Sequence, residues 1–78
     1  MWHAEILQTE TKGRGIKTWW GLQDENGAWI KRGFLYGLWP PSPKETTNDK
    51  AEAHSWSDKQ LDQMFEWARS NGLPLVSS

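Results

Sequence analysis

At 78 residues the chain is one domain, because so short a chain buries only about 60% of its unfolded surface and cannot divide that between two cores. It contains no cysteine, which excludes a disulfide framework and a thiolate zinc site and leaves burial to carry the stability. The formal net charge of −1 argues against a dedicated nucleic-acid binder, but it hides an asymmetry: residues 12–44 hold six cations against two acids, and residues 45–78 hold six acids against three cations.

The composition is unusual in one respect. Trp2, Trp19, Trp20, Trp29, Trp39, Trp56 and Trp67 stand against two Phe and one Tyr. An indole buries on the order of 200 Å². Three or four of them, with the aliphatic residues, fill a core of this size, so the remainder is expected to be partly exposed.

Along the chain, residues 2–9 alternate loosely and predict a first strand. Thr11-Lys12-Gly13-Arg14-Gly15 breaks it with a flexible turn; the glycines do not have the spacing of a phosphate loop, and a strand follows instead of a helix. The strongest local signal lies between Gly15 and Tyr36, where two β-like runs flank Asp24-Glu25-Asn26-Gly27. Gly27 supplies the positive φ that ends a three-residue hairpin loop, and Asp24 is placed to accept local backbone N–H groups. Asp24 then faces Ala28, which sets Leu22 against Ile30, Trp20 against Arg32, Trp19 against Gly33 and Thr18 against Phe34. The two faces separate. Ile16, Trp20, Leu22, Ile30, Phe34 and Tyr36 form the expected core face, with Arg32 over Trp20 as a cation–π partner, and Lys17, Trp19, Trp29, Lys31 and Leu35 form an aromatic and basic outer face.

Leu38-Trp39-Pro40-Pro41-Ser42-Pro43 ends the sheet, since proline cannot donate to a ladder. Lys44 to Ser55 is polar and reads as a mobile linker with a helical turn around Asp49–His54. A helix follows over about 58–71: Ser57 and Gln60 have capping-box spacing, Trp56 and Leu61 staple spacing, Leu61, Met64, Phe65 and Ala68 make one apolar stripe, and Asn71-Gly72 with Pro74 ends it. Trp67 falls on the flank of that stripe. Leu73, Leu75 and Val76 are expected to fold back on the sheet edge or the helix end. The fold class is therefore α+β: a small antiparallel sheet of two to three strands, its central hairpin at about 15–36, packed on one C-terminal helix. The domain divides into sheet 2–39, linker 40–55, and helix and tail 56–78.

Catalytic chemistry has little to draw on. His3 and His54 have no carboxylate or second histidine at an orienting spacing, and no nucleophile elbow, metalloprotease helix or cysteine site is present, so no enzyme, metal or cofactor is expected. The expected function is binding, through Trp19, Trp29, Lys17, Lys31, Arg14 and Leu35. A protein partner is favoured, because Trp and Arg anchor interfaces. Single-stranded nucleic acid, stacked on the indoles with Lys and Arg on phosphates, is the alternative, and carbohydrate is a third ligand class. A second copy of the chain, meeting through exposed Trp or a sheet edge, is a further possible partner. The segment Trp20-Gly21-Leu22-Gln23-Asp24-Glu25-Asn26-Gly27-Ala28-Trp29-Ile30 resembles one unit of the tryptophan-glycine β repeats of some bacterial proteins. The likeness covers a single copy of eleven residues and amounts to shared hairpin chemistry. With no basic leader, no apolar span and no cysteine, the expectation is a cytoplasmic protein without a membrane partner, of the type that phages and mobile elements encode as accessory or inhibitor proteins.

Overall fold

The computed structural model describes residues 1–33 and 41–75; Phe34, Leu35, Tyr36, Trp39 and Val76, which carried expectations above, lie outside them. The fold is α+β, an antiparallel sheet with one C-terminal helix against it. Strand β1 (His3–Lys12) turns at Gly13-Arg14 into β2 (Gly15–Gln23), pairing from Lys12 opposite Gly15 to His3 opposite Gln23. The pairing slips once, between Ile6 and Gln8, so that Leu7 is an extra residue at a β-bulge.

The second turn follows the expected chemistry. Gln23 faces Trp29 of β3 (Trp29–Ile30), which is the register that sets Leu22 against Ile30. Asp24 Oδ1 accepts from the Asn26 and Ala28 N–H groups, each at 2.9 Å, while Asp24 N–H donates to the Ala28 carbonyl at 2.8 Å. Gly27 takes φ +87°, open to glycine without strain.

Beyond Ile30 the hairpin departs from expectation. The positions forecast for Arg32 and Gly33 beside β2 are held by β5 (Trp56–Ser57), with Trp56 opposite Trp20 and Ser57 opposite Trp19. The chain after Ile30 turns to other partners: Ile30 C=O accepts His54 N–H at 2.8 Å, Lys31 faces Ala53, and Arg32 N–H donates to the Glu52 carbonyl at 2.9 Å. The exchange has a physical reason. An indole opposite Trp20 fills the core, whereas Arg32 there would carry a guanidinium to its edge. On its far side β3 pairs with β4 (Thr46–Thr47). The stretch read as a linker thus contributes β4 and a 3₁₀ turn at Lys50–Glu52, capped by Asp49 Oδ1 accepting Ala51 N–H at 2.9 Å. Among the described residues the sheet has five strands, three of them only two residues long, where two to three were expected.

The helix starts as forecast. Ser57 precedes a 3₁₀ turn (Asp58–Gln60) that runs into α1 (Leu61–Ser70), and Gln60 Oε1 accepts Ser57 N–H at 3.1 Å. At its end Leu73 N–H reaches the Ala68 carbonyl at 2.9 Å and Gly72 N–H the Arg69 carbonyl at 3.1 Å, the pair of bonds of a Schellman cap. Leu22, Ile30, Trp56, Met64 and Ala68 form the core, with Trp2, Trp20, Leu61, Trp67, Leu73 and Leu75 packed around it. Phe65 was expected in that stripe but is 46% exposed. The helix is rotated toward Trp67, whose ring centroid lies 5.8 Å from that of Trp56, and an indole in this place covers more apolar area than a phenyl ring.

Candidate binding groove on the outer sheet face

Alternation along β2 places Lys17, Trp19, Gly21 and Gln23 on the face opposite the helix, and Trp29, which faces Gln23, joins them. The sorting of faces is therefore observed for Trp19 and Trp29 against Trp20, Leu22 and Ile30, while Ile16, expected in the core, is 69% exposed because it lies in the stretch of β2 beyond its pairing with β5. The openness expected of the outer face is not observed. A Cβ on Gly21 would stand 2.9 Å from Leu7 Cδ1 and 2.9 Å from Trp29 Cε3, so only glycine lets both side chains close over the strand here. Leu7 reaches this face because the bulge sets Leu7 and Gln8 together opposite Trp19. Trp29, expected as an exposed anchor, is consequently only 7% exposed, and Lys50 Nζ lies 6.0 Å from its ring centroid.

Trp19 is half-buried. It lines a groove of about 410 Å³ with Leu7, Gln8, Lys50, Ala51 and Ala53, between the sheet and the 3₁₀ turn. Lys17 Nζ sits 5.1 Å from the Trp19 ring centroid. Of the residues named from the sequence, Trp19 lines this groove, and Lys17 meets its ring without lining the groove. Trp29 lies covered on the same face, Lys31 is exposed with its backbone facing Ala53, Arg14 is exposed in the hairpin tip, and Leu35 is outside the described residues. Leu7, Gln8, Lys50, Ala51 and Ala53 were missed; the adjacent apolar pair Ile6-Leu7 in an otherwise alternating strand is the one signal of the bulge that brings Leu7 across. The groove combines one indole, the aliphatic Leu7, Ala51 and Ala53, the polar Gln8 and Ser55 and one ammonium, a setting for a side chain with an apolar body and an acceptor.

Two titratable groups have shifted equilibria. Asp58 Oδ1 accepts the Trp20 indole N–H and Oδ2 the Thr18 N–H, both at 3.0 Å, and these bonds hold its carboxyl below the usual range against a weaker opposing effect of desolvation. Trp20 therefore answers to Asp58 and not to Arg32. His54 packs edge-on against Trp56 at 4.4 Å between centroids, and burial pushes its imidazole below the ordinary value. Its buried Nδ1 has no hydrogen-bond partner among the described residues. Among the described residues no three His, Asp or Glu side chains gather as a metal-binding group, and no helix is long and apolar enough to cross a membrane. No protein-family model, curated protein or solved structure matches the chain.

Proposed function

We propose that the protein is a non-enzymatic module that binds another protein through the outer groove, with Trp19 as its anchor. The observation that carries this reading is the contrast between neighbouring indoles. Trp19 and Trp20 are both half-buried, but Trp20 is hydrogen-bonded at the core rim and Trp29 is covered, whereas Trp19 stands on the wall of an open groove beside Leu7, Gln8, Ala51, Ala53 and Ser55. Interface anchors are rings of this sort, held rigid by a scaffold and still accessible to a partner's side chain. A small single-face module of this type suits an accessory or inhibitor role. Single-stranded nucleic acid is the second reading, favoured by the ammonium groups of Lys17 and Lys50 over the two outer indoles at 5.1 and 6.0 Å.

The test is affinity capture from a nuclease-treated lysate of the native host, with wild type and Trp19→Ala in parallel. Recovery of a protein by wild type that Trp19→Ala fails to recover supports the proposal. Capture that disappears with nuclease treatment refutes it in favour of nucleic acid, and capture indifferent to Trp19 removes the groove from the account.

A further inference from the structure

We propose a second binding site, at the tip of the β1–β2 hairpin, that takes an extended acidic peptide segment as a short added strand. It is separate from the outer groove and does not rest on the function assigned to that groove. The first observation is an open ladder. β2 pairs with β5 only through Trp19 and Trp20, so among the described residues Gly15–Thr18 have β1 on one side and no strand on the other. The direction of the free groups follows from Thr18, whose N–H points away from β1 and donates to Asp58 Oδ2 at 3.0 Å. Backbone direction alternates with a period of two residues, so the N–H and C=O of Ile16 point the same way. Asp58 closes the ladder at Thr18, and the next donor–acceptor pair stands open among the described residues. An extended peptide residue opposite Ile16 exchanges both bonds with it, which is the chemistry of strand addition at a sheet edge.

The second observation is what surrounds that pair. A groove of about 330 Å³ opens beside it, lined by Ile16, Lys12, Lys17, Asp58 and Lys59 among others. Ile16 is 69% exposed, an apolar β-branched side chain with an uncovered surface. Neither Lys12 nor Lys59 forms an ion pair among the described residues. The lining sets three ammonium groups, Lys12, Lys17 and Lys59, against the one ionised carboxylate of Asp58, with Glu10 opposite Lys17 on β1, so the groove is net positive. Register and charge together define the ligand. A residue opposite Ile16 shares its face and is best apolar, while its two neighbours point to the other face, where Lys12 and Lys17 lie, and are best acidic. The segment is acid–apolar–acid in extended form. Among the described residues no aromatic ring lines this groove, which favours a peptide over a stacked nucleic-acid strand.

The experiment titrates ¹⁵N-labelled full-length protein with acetyl-Gly-Glu-Val-Glu-Gly-amide and follows backbone amide shifts. The proposal expects saturable shifts centred on Gly15–Thr18 and Lys59 and slowed hydrogen exchange at Ile16. N-methylation of the peptide valine, which removes the donor to Ile16, weakens binding about tenfold, as loss of one ladder bond to a desolvated acceptor does. Lys12→Gln with Lys59→Gln weakens it by a similar factor and flattens its salt dependence. Lys50→Gln, a change in the outer groove alone, leaves it in place, which separates the two sites. Equal binding of the N-methylated peptide, shifts confined to the outer groove, the absence of any saturable shift, or tighter binding of a dT oligonucleotide at the same amides overturns the proposal.

Discussion

Gly21 is the residue on which the outer face turns, and Gly21→Ala tests that packing directly. In open strand surroundings alanine is the better residue by roughly 0.5–1 kcal/mol, because glycine loses more backbone freedom on folding. Here its Cβ stands 2.9 Å from Leu7 Cδ1 and 2.9 and 3.0 Å from two Trp29 ring carbons, against about 3.5–4.0 Å for carbon atoms in favourable contact. Leu7 Cδ1 is the end of a flexible side chain and yields cheaply. The Trp29 ring does not, because its backbone is held between Gln23 and Thr47 and its surface is nearly all covered. Overpacking of this kind costs about 1–3 kcal/mol, so the net expectation is a loss of about 1–2 kcal/mol and a fall in Tm of roughly 5–10 °C. Urea and thermal unfolding followed by far-UV circular dichroism measure it. Trp29→Leu in the Gly21→Ala background should recover part of the loss, because the two substitutions share one space. An unchanged or raised Tm for Gly21→Ala would refute the packing of Trp29 over β2.

Other consequences follow from the core and the turns. Met64→Ala should cost about 2–5 kcal/mol in urea unfolding while Phe65→Ala stays under about 1 kcal/mol, since Met64 is fully buried and Phe65 is not; the reverse order would mean that the helix presents another face. Asp24→Ala removes the acceptor of two turn N–H groups and should destabilise by about 1 kcal/mol, read as a lower urea midpoint with an unchanged m-value. Acid unfolding should show two windows, because both shifted groups lie lower in the folded state than in the unfolded one and each stabilises less as pH falls. The His54 contribution is present above its ordinary value of 6.5 and declines below it, and that of Asp58 is present above 3.8 and declines below it. His54→Gln should flatten the upper window and Asp58→Asn the lower one in Tm against pH; equal slopes in wild type and variants would contradict the assignments.

Elements with dense local signals were legible in the sequence. The Asp24–Gly27 turn, the register through Gln23 and Trp29, and the helix boundaries at Ser57 and Gly72 rest on hydrogen bonds between residues a few positions apart, and chain chemistry alone specifies those. The short strands at Thr46–Thr47 and Trp56–Ser57 have two residues each, too few for any periodicity, and they exist because distant segments pair with them. Trp56 shows the difference: its spacing to Leu61 suggested a helix staple, while its place in the core comes from pairing with Trp20, 36 positions away. The site divides in the same way. Lys17 and Trp19 share a face by alternation, which is local; the covering of Trp29 depends on a bulge in one strand, a glycine in the next and a turn at Lys50–Glu52, which no single window contains.

On the proposed reading Trp19 serves a partner and not the fold, and the affinity of Trp19→Ala for the captured protein decides between the two. Calorimetric titration should show a loss of at least about 2 kcal/mol, roughly thirtyfold in Kd, with weak dependence on salt, while the variant keeps a cooperative thermal transition. An affinity within about twofold of wild type in a folded Trp19→Ala protein would contradict the account.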